Sequence, residues 1–215
     1  MIRLQFPRRW MWLTAGVVAL AVLIIGVVCF FNKKDIVREG GEPIITYSTD
    51  TPDDSRENAD NYNWRGGVED PKKIIMPSIG VDSFIQQVGV DQNDEVAVPN
   101  NVHLAGWYVE SARPGRQGLS IIDGHVNGRT AEGVFRNLEK LVKDDEVGIE
   151  FGNGEIKNFK VIETHRAKVD EAASILFSQK PKVYSQLNLI TCVGEFDRET
   201  RRYQERLIVY TELIQ

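Results

Sequence analysis

An uncharged apolar stretch near the N-terminus divides this chain into two parts of different character. Residues Met11–Phe31 read MWLTAGVVALAVLIIGVVCFF, without a charged residue or a proline. As a helix, about 20 apolar residues are enough to cross the roughly 30 Å hydrocarbon layer of a membrane. A cleaved signal peptide is the alternative, but the bulky end Val28–Phe31 lacks the small residues of a cleavage site. The stretch therefore predicts an uncleaved transmembrane signal anchor.

The charges beside this stretch predict its orientation. Three arginines and no acidic residue precede it, whereas acidic residues offset the two lysines that follow it. Because positive charge favours the cytoplasmic side, residues 1–10 are expected in the cytoplasm and the rest outside. Of the two cysteines, Cys29 then lies within the membrane and Cys192 in the exterior domain. Cys192 is therefore expected to be an unpaired thiol, which makes it a candidate reactive group.

The next segment, residues 32–67, contrasts with the anchor in composition. It contains the polar run STDTPDDSRENADNYN, several glycines and prolines, and few apolar residues. A segment of this kind buries too little apolar surface to fold alone, so it predicts a flexible extracytoplasmic linker. The domain proper is expected over residues 68–215.

Short β-type runs separated by turn residues dominate residues 68–215. The Asn153–Gly154 pair predicts a hairpin turn, since these residues accept positive φ angles. Short helices are expected near 131–142, where apolar residues form a stripe, and near 170–177. Many strands with few helices predict an all-β domain closed, or nearly closed, as a barrel. The candidate strand runs are KKIIMPSIGV, SFIQQVGV, EVAVP, GLSIIDGH, EVGIEFGNGEIKNFKVIETH (which contains the hairpin turn), LNLITC and RLIVYTELI.

Composition narrows the function classes. The formal net charge is −5 and the isoelectric point is near 5.3. A nucleic-acid-binding domain normally carries a basic face, so this balance argues against nucleic acid as a partner.

Cys192 and His125 each stand where an apolar run ends. Cys192 closes LNLITC before Val193–Gly194, and His125 follows SIIDG. Alone, such a cysteine is more often a small core residue, and such a histidine often only caps a loop. At two neighbouring strand ends, however, a histidine can serve as proton donor and acceptor for a cysteine nucleophile.

Arg206 is placed at the start of the last predicted strand. Alternation puts Arg206, Ile208 and Tyr210 on one face of that strand and Leu207 and Val209 on the other. One interpretation is that Arg206 belongs to an exposed charged turn, because Arg201, Arg202 and Glu205 are close to it in the sequence. The other is that its guanidinium lies near the thiol, where it would stabilise a developing oxyanion.

In combination these residues resemble the signature of the sortase family. The run LITC resembles the family's TLxTC-like motif, with GHVNG upstream and the strand led by Arg206 downstream. The resemblance covers about residues 72–213, and within the family the motifs are most similar to those of the class E or F group. Supporting motifs are GWY, PGRQG, GVFRNLEKL and VGEFD.

The resemblance implies a closed eight-stranded sortase-type β-barrel and a membrane-anchored cysteine transpeptidase. The expected substrate is a secreted protein with an LPXTG-like C-terminal sorting signal. Cys192 would form a thioester with the threonine carbonyl, His125 would protonate the leaving amine, and Arg206 would hold the oxyanion. An amine of a cell-wall precursor or a pilin would then accept the acyl group. No cofactor is implied.

The resemblance also suggests residues that contact the substrate. Thr191 precedes the cysteine in the motif, and residues 168–184 stand where sortases have a substrate-gripping loop. Ile175, Leu176 and Phe177 in that loop either contact the sorting signal or pack underneath it.

Other sites and enzyme classes fit the sequence less well. A zinc site formed by His103, His125 and Cys192 lacks the usual paired-ligand spacing. A calcium site could use Asp170, Glu171 and the acidic loops, but scattered carboxylates such as these are usually solvated. Papain-like hydrolases place cysteine before histidine, which is the reverse of the order here. The alternative from a different class is a non-catalytic, surface-anchored β-barrel that binds partners.

Overall fold

The computed structural model describes residue 41 and residues 43–214. The predicted cytoplasmic residues 1–10, the predicted anchor 11–31 and the start of the predicted linker lie outside the described residues. Within the described part, no helix has the length and apolar character needed to cross a membrane.

Eight strands form one closed barrel in the order β1-β2-β3-β4-β7-β8-β6-β5, and pairing between β1 and β5 closes it. This confirms the predicted architecture. Two neighbouring pairs, β2 with β3 and β4 with β7, are parallel, and the remaining pairs are antiparallel. The strands are β1 Pro71–Met76, β2 Val81–Val88, β3 Ala105–Tyr108, β4 Gly118–Gly124, β5 Glu146–Phe151, β6 Ile156–Lys168, β7 Ser185–Asp197 and β8 Arg202–Leu213.

Apolar side chains alternate along the strands, so that one set fills the barrel and another set forms an apolar cluster on its outer face. Leu187, Leu189 and Val209 point into the main core, where they pack with the aromatic and aliphatic residues of the other strands. Ile208 and Tyr210 belong to a second apolar cluster on the outer face. The predicted faces of the last strand are therefore confirmed, because successive side chains point to opposite sides of a strand.

Helix α2, Val169–Leu176, covers that outer cluster and confirms the helix predicted near 170–177. Its buried residues Ala172 and Leu176 pack against the outer faces of β6 and β8. Beneath its C-terminal end, the Asn188 side chain on β7 donates to the Leu176 carbonyl at 2.7 Å. The helix is thus fixed to the strand that carries Cys192.

The helix predicted over 131–142 is wrong except for one 3-10 turn, Leu138–Lys140. The backbone N–H groups that such a helix would use are bonded to other segments. Val134 donates to the Val102 carbonyl at 2.8 Å and Phe135 to the His125 carbonyl at 2.9 Å. The EVAVP strand is also wrong, since only Val96 makes an isolated bridge there. Conversely, β3 was not predicted as a strand.

The predicted hairpin turn joins β5 to β6. Gly154 donates its N–H to the Phe151 carbonyl at 2.9 Å, and Phe151 donates to the Glu155 carbonyl at 2.8 Å. Gly154 has a φ of 81°, and it alone among Phe151–Gly154 has a positive φ. A turn followed by a left-handed glycine is a common three-residue hairpin connection, so Gly154 rather than Asn153 supplies the special backbone geometry.

The described part of the predicted linker is packed on the barrel, which corrects the prediction of a flexible tether for those residues. Ile45 is buried beside Val88 and exchanges backbone hydrogen bonds with Gln87 and Gly89. Helix α1, Arg56–Asp60, begins at Ser55, whose hydroxyl accepts the Asn58 N–H. The segment docks mainly through backbone and polar groups, and this is why its low apolar content did not reveal it.

Candidate active site

Cys192 and Arg206 lie directly opposite each other on β7 and β8. They are partners in the antiparallel ladder, so their side chains leave the sheet on the same face. That face is the outside of the barrel, since Ile208 follows Arg206 in phase and lies in the outer cluster. The structure therefore brings the predicted thiol and guanidinium together.

The strand ends differ from the sequence prediction. β7 continues beyond Cys192 to Asp197, and β8 begins at Arg202 rather than at Arg206. A bulge between Val193 and Phe196 contains Gly194, whose φ is 85°. The regular ladder is interrupted one residue after the cysteine, beyond the Val193–Glu205 pair, and this gave the position the sequence appearance of a strand end.

The Arg206 guanidinium is fixed by the backbone of its own strand. Its Nη1 donates to the Tyr203 carbonyl at 3.0 Å and to the Glu205 carbonyl at 3.1 Å. The Glu205 carboxylate forms an ion pair with Arg166 at 2.8 Å. Within the described residues, Nε and Nη2 of Arg206 make no hydrogen bond, so these donors are available to a ligand near the thiol.

His125 follows the last residue of β4 and lies beside Cys192 on the other side. The parallel pairing of β4 and β7 ends at Asp123 with Ile190. Two residues further along each chain are His125 and Cys192, and neighbouring strands are about 4.8 Å apart. The Thr191 hydroxyl donates to the Gly124 carbonyl at 2.7 Å, which holds the two chains together between these levels.

The orientation of the His125 ring is set by the backbone of residue 99. Its Nε2 lies 2.8 Å from the Pro99 carbonyl oxygen. Because a carbonyl can only accept, Nε2 carries a proton, and Nδ1 is the nitrogen that gains or loses one. The Phe135 N–H also donates to the His125 carbonyl, which fixes the backbone at this residue.

Burial pushes the thiol and the imidazole toward their neutral forms. It raises the pKa of the Cys192 thiol, a rise that the Arg206 guanidinium opposes and that the Asp123 carboxylate reinforces. It lowers the pKa of His125, a change that the bond to Pro99 and the charge of Asp54 oppose. Thiolate and imidazolium together are therefore a minor form of the unliganded site.

Asp123 is a buried acid beneath this site that the sequence reading overlooked. It shares the outer face of β4 with His125, is 6% exposed, and its Oδ1 has no hydrogen-bond partner in the described structure. Burial raises its pKa well above the usual carboxyl value. A Cβ on Gly106 would come 2.3 Å from that Oδ1, so the glycine of GWY makes room for the acid. An acid two residues before the histidine was the available signal.

The predicted substrate contacts occupy different environments. Phe177 is 52% exposed, with its ring edge-on to Tyr108 at 6.3 Å between centroids. Ile175 is half-buried, whereas Leu176, the last residue of α2, is buried against the outer face of the barrel. Thr191 is buried and its hydroxyl is engaged by β4, so it joins the strands, whereas the prediction assigned it to substrate binding.

A cleft of about 480 Å³ adjoins the site at the end of the barrel. Thr191 and Val193, the neighbours of Cys192, line it together with Val126. The cysteine itself points to the outer face and does not line the cleft. Within the described part of the chain, no three His, Cys, Asp or Glu side chains are placed to hold a metal ion.

The comparison with protein families decides the assignment. Residues 74–214 match the sortase domain. This chain belongs to the sortase family. Sortases are cysteine transpeptidases, and the chain is accordingly an enzyme of that kind. The resemblance to class E or F stays a prediction.

Solved structures of sortases are similar to this one. A sortase D5 transpeptidase from Clostridium perfringens is 26% identical, with 68% of this chain and 79% of that chain covered and a TM-score of 0.50. Sortase C-1 from Actinomyces oris is 25% identical, with 68% and 75% covered and a TM-score of 0.50. A lid mutant of Corynebacterium diphtheriae sortase A, at 24% identity, 67% and 70% coverage and a TM-score of 0.53, shares the fold. No match was found among curated proteins.

The pH dependence of turnover by this sortase should reflect the raised pKa of the Cys192 thiol and the lowered pKa of the His125 imidazole. We expect a bell-shaped kcat/KM profile, because acid protonates both groups and alkali deprotonates both. The acid limb should lie below the ordinary histidine value of about 6.5 and the alkaline limb above the ordinary cysteine value of about 8.5. Turnover of a labelled peptide between acid and alkaline buffers measures both limbs. An alkaline limb below the ordinary thiol value would contradict the burial argument.

Asp123 should destabilise the folded protein as pH rises. The unfolded carboxyl ionises near 3.8, whereas burial keeps the folded one protonated to higher pH. Above that value folding takes up a proton, so stability falls with pH until the folded group ionises. Asp123→Asn should therefore be more stable than wild type near neutral pH, with the difference shrinking toward about pH 4. Urea unfolding at several pH values tests this, with exposed Asp60→Asn as control; a pH-independent difference would refute it.

Proposed function

We propose that this sortase cleaves an LPXTG-like sorting signal through a thioester on Cys192 and transfers the acyl group to an amine. The observation that carries the proposal is the register of three neighbouring strands. Cys192 on β7 lies between His125, which follows β4, and Arg206 on β8. This register supports a site in which a nucleophile, a proton carrier and a cationic hydrogen-bond donor act on one substrate carbonyl at the outer face.

In the first half of the reaction, the Cys192 thiolate attacks the threonine carbonyl carbon of the signal. The free donors of Arg206 bind the oxyanion that forms, because a fixed guanidinium needs no reorganisation as charge develops. The His125 imidazolium gives its proton to the departing glycine amine as the carbon–nitrogen bond breaks. A thioester and a neutral imidazole remain.

In the second half, an amine of a cell-wall precursor or a pilin attacks the thioester carbonyl. The neutral His125 accepts a proton from that amine, and the Cys192 thiolate leaves as the new amide forms. The covalent intermediate retains the acyl group between the two steps. Both substrates therefore use the same three side chains.

The apolar residues beside α2 are the proposed contacts for the leucine and proline of the signal. Exposed Phe177 packs edge-on against half-buried Tyr108, and half-buried Ile175 packs with Tyr108 against the same outer apolar cluster. Leu176 supports this surface from below, since it is buried against the barrel. As an exposed aromatic side chain, Phe177 offers a large apolar area for a ligand to cover.

Mass spectrometry of the full chain in detergent with LPXTG-like peptides tests the proposal. We expect a covalent adduct on Cys192 whose mass is that of the peptide up to its threonine. Cys192→Ala should form none. Arg206→Ala should form it about 10²- to 10³-fold more slowly, the usual effect of losing an oxyanion donor.

The controls are a scrambled peptide and Arg202→Ala, which removes an exposed arginine from the same strand. The proposed reaction would be wrong if the adduct formed equally with the scrambled peptide, or if it persisted in Cys192→Ala.

The proposal includes anchoring in the cell membrane by residues 11–31, with the N-terminus in the cytoplasm and the barrel outside. The support is the uncharged stretch and the arginines before it. A tethered enzyme also meets membrane-held substrates at a raised effective concentration.

Cell fractionation and protease treatment of intact spheroplasts test the anchor. The full chain should remain with membranes after a high-salt wash, and external protease should remove the barrel. A chain without residues 1–31 should remain soluble. Recovery of the full chain in the soluble fraction would rule out the anchor.

A further inference from the structure

The Asp54 carboxylate accepts three hydrogen bonds from the loop that follows His125, and we call this set of bonds the clasp. Its Oδ2 accepts the Thr130 N–H at 2.8 Å and the Thr130 hydroxyl at 2.9 Å, and its Oδ1 accepts the Arg129 N–H at 3.3 Å. A Cβ on Gly128 would lie 1.7 Å from Oδ1, so the loop has a glycine where the carboxylate approaches. The clasp joins residues far apart in the chain.

The clasped segment, residues 126–134, which we call the histidine loop, follows His125 directly in the chain and returns to it in space. Gly133 donates to the Val126 carbonyl at 3.1 Å, and Phe135 donates to the His125 carbonyl at 2.9 Å. A Cβ on Gly133 would come 2.1 Å from the His125 oxygen, so the two ends of the loop are in close contact. Displacement of this loop would therefore move the His125 backbone.

A third segment links the clasp to the imidazole itself. The His103 Nε2 donates to the Asp54 carbonyl at 3.1 Å, and the Val134 N–H donates to the Val102 carbonyl at 2.8 Å. The same segment contains Pro99, whose carbonyl accepts from the His125 Nε2. Asp54, the histidine loop and the segment before β3 thus hold one another around His125.

We propose that Asp54 is a positioning residue for the sortase reaction, holding the histidine loop, and with it the backbone of His125, in place. This inference rests on the proposed function of His125 as proton carrier. Asp54 belongs to the predicted linker and precedes the family match, which begins at residue 74, yet by this proposal it supports the active site.

Electrostatics supports the same role. The Asp54 carboxylate raises the pKa of His125 against the larger effect of burial. Its own pKa is lowered, chiefly by the Thr130 hydroxyl, so the charge is present at neutral pH. Because the thiolate–imidazolium pair is a minor form, its population falls in proportion as the imidazole becomes less basic. The other ionisable groups on the elements around His125 include Asp123, Cys192, His103, Asp53, Arg129 and Glu132.

The neighbouring acid provides a matched control. Asp53 carries the same charge one residue earlier, and its side chain accepts from Asn58 at 2.8 Å and Asn101 at 3.2 Å. His103 lowers the pKa of both acids, whereas Asp54, and not Asp53, raises the pKa of His125. Asp54→Asn and Asp53→Asn therefore remove equal charge from one segment and differ in their link to His125.

The experiment compares these variants as full chains in detergent. We expect Asp54→Asn to lower kcat by up to about 10²-fold, the effect of a small misplacement of a reacting group. KM for the peptide should change little, and the acid limb of the kcat/KM profile should move to lower pH. Asp54→Glu should restore part of the activity. Asp53→Asn should leave the acid limb where it is in wild type.

A second measurement reads His125 without any substrate. The chain has three histidines, so NMR can follow the His125 imidazole through a pH titration. Asp54→Asn should lower its pKa and Asp53→Asn should not. Equal shifts in both variants, or none in either, would overturn the inference. A wild-type protein that titrates as expected but forms no peptide adduct would instead overturn the proposed function.

Discussion

The hydrogen-bond register across β4, β7 and β8 is the constraint on which the site depends. The β7–β8 ladder pairs the cysteine with the arginine, and the β4–β7 ladder ends two residues before His125 and Cys192, so the chain leads all three residues to one end of these strands. A one-residue slip in either ladder would turn a side chain into the barrel. The closed barrel makes such a slip costly, because Leu189 and Val209 on the inner face would lose their burial in the core.

This placement determines the electrostatic character of the site. Burial favours the neutral forms of the thiol and the imidazole, and a charged neighbour of each group opposes this effect. Arg206 opposes the rise in the thiol pKa, and Asp54 opposes the fall in the imidazole pKa. Asp123 acts in the opposite direction, because its ionisation would raise the thiol pKa further. Its burial limits that effect by favouring the neutral acid.

Local patterns predicted much of this structure. Alternation located β8 and its faces, and the glycine-containing turn located the hairpin between β5 and β6. The helix near 131–142 failed because the close approach of Gly133 to His125 and the bonds of Val134 and Phe135 override its apolar stripe. The four-residue β3 was missed because it pairs in parallel with β2, and no turn signal in the sequence marks a crossover. The resemblance, rather than periodicity, brought His125, Cys192 and Arg206 together.

The docked segment before the barrel shows why polar composition alone does not indicate flexibility. A composition argument counts apolar residues because burial usually drives folding, and by that measure residues 43–67 are poor. Here, however, the acidic side chains are themselves the docking groups. The Asp53 backbone pairs with Asn100 and Val102, and the Asp54 carboxylate accepts two backbone N–H groups that the histidine loop leaves unpaired. The acidity that predicts a solvated linker is thus the property that fastens it beside His125.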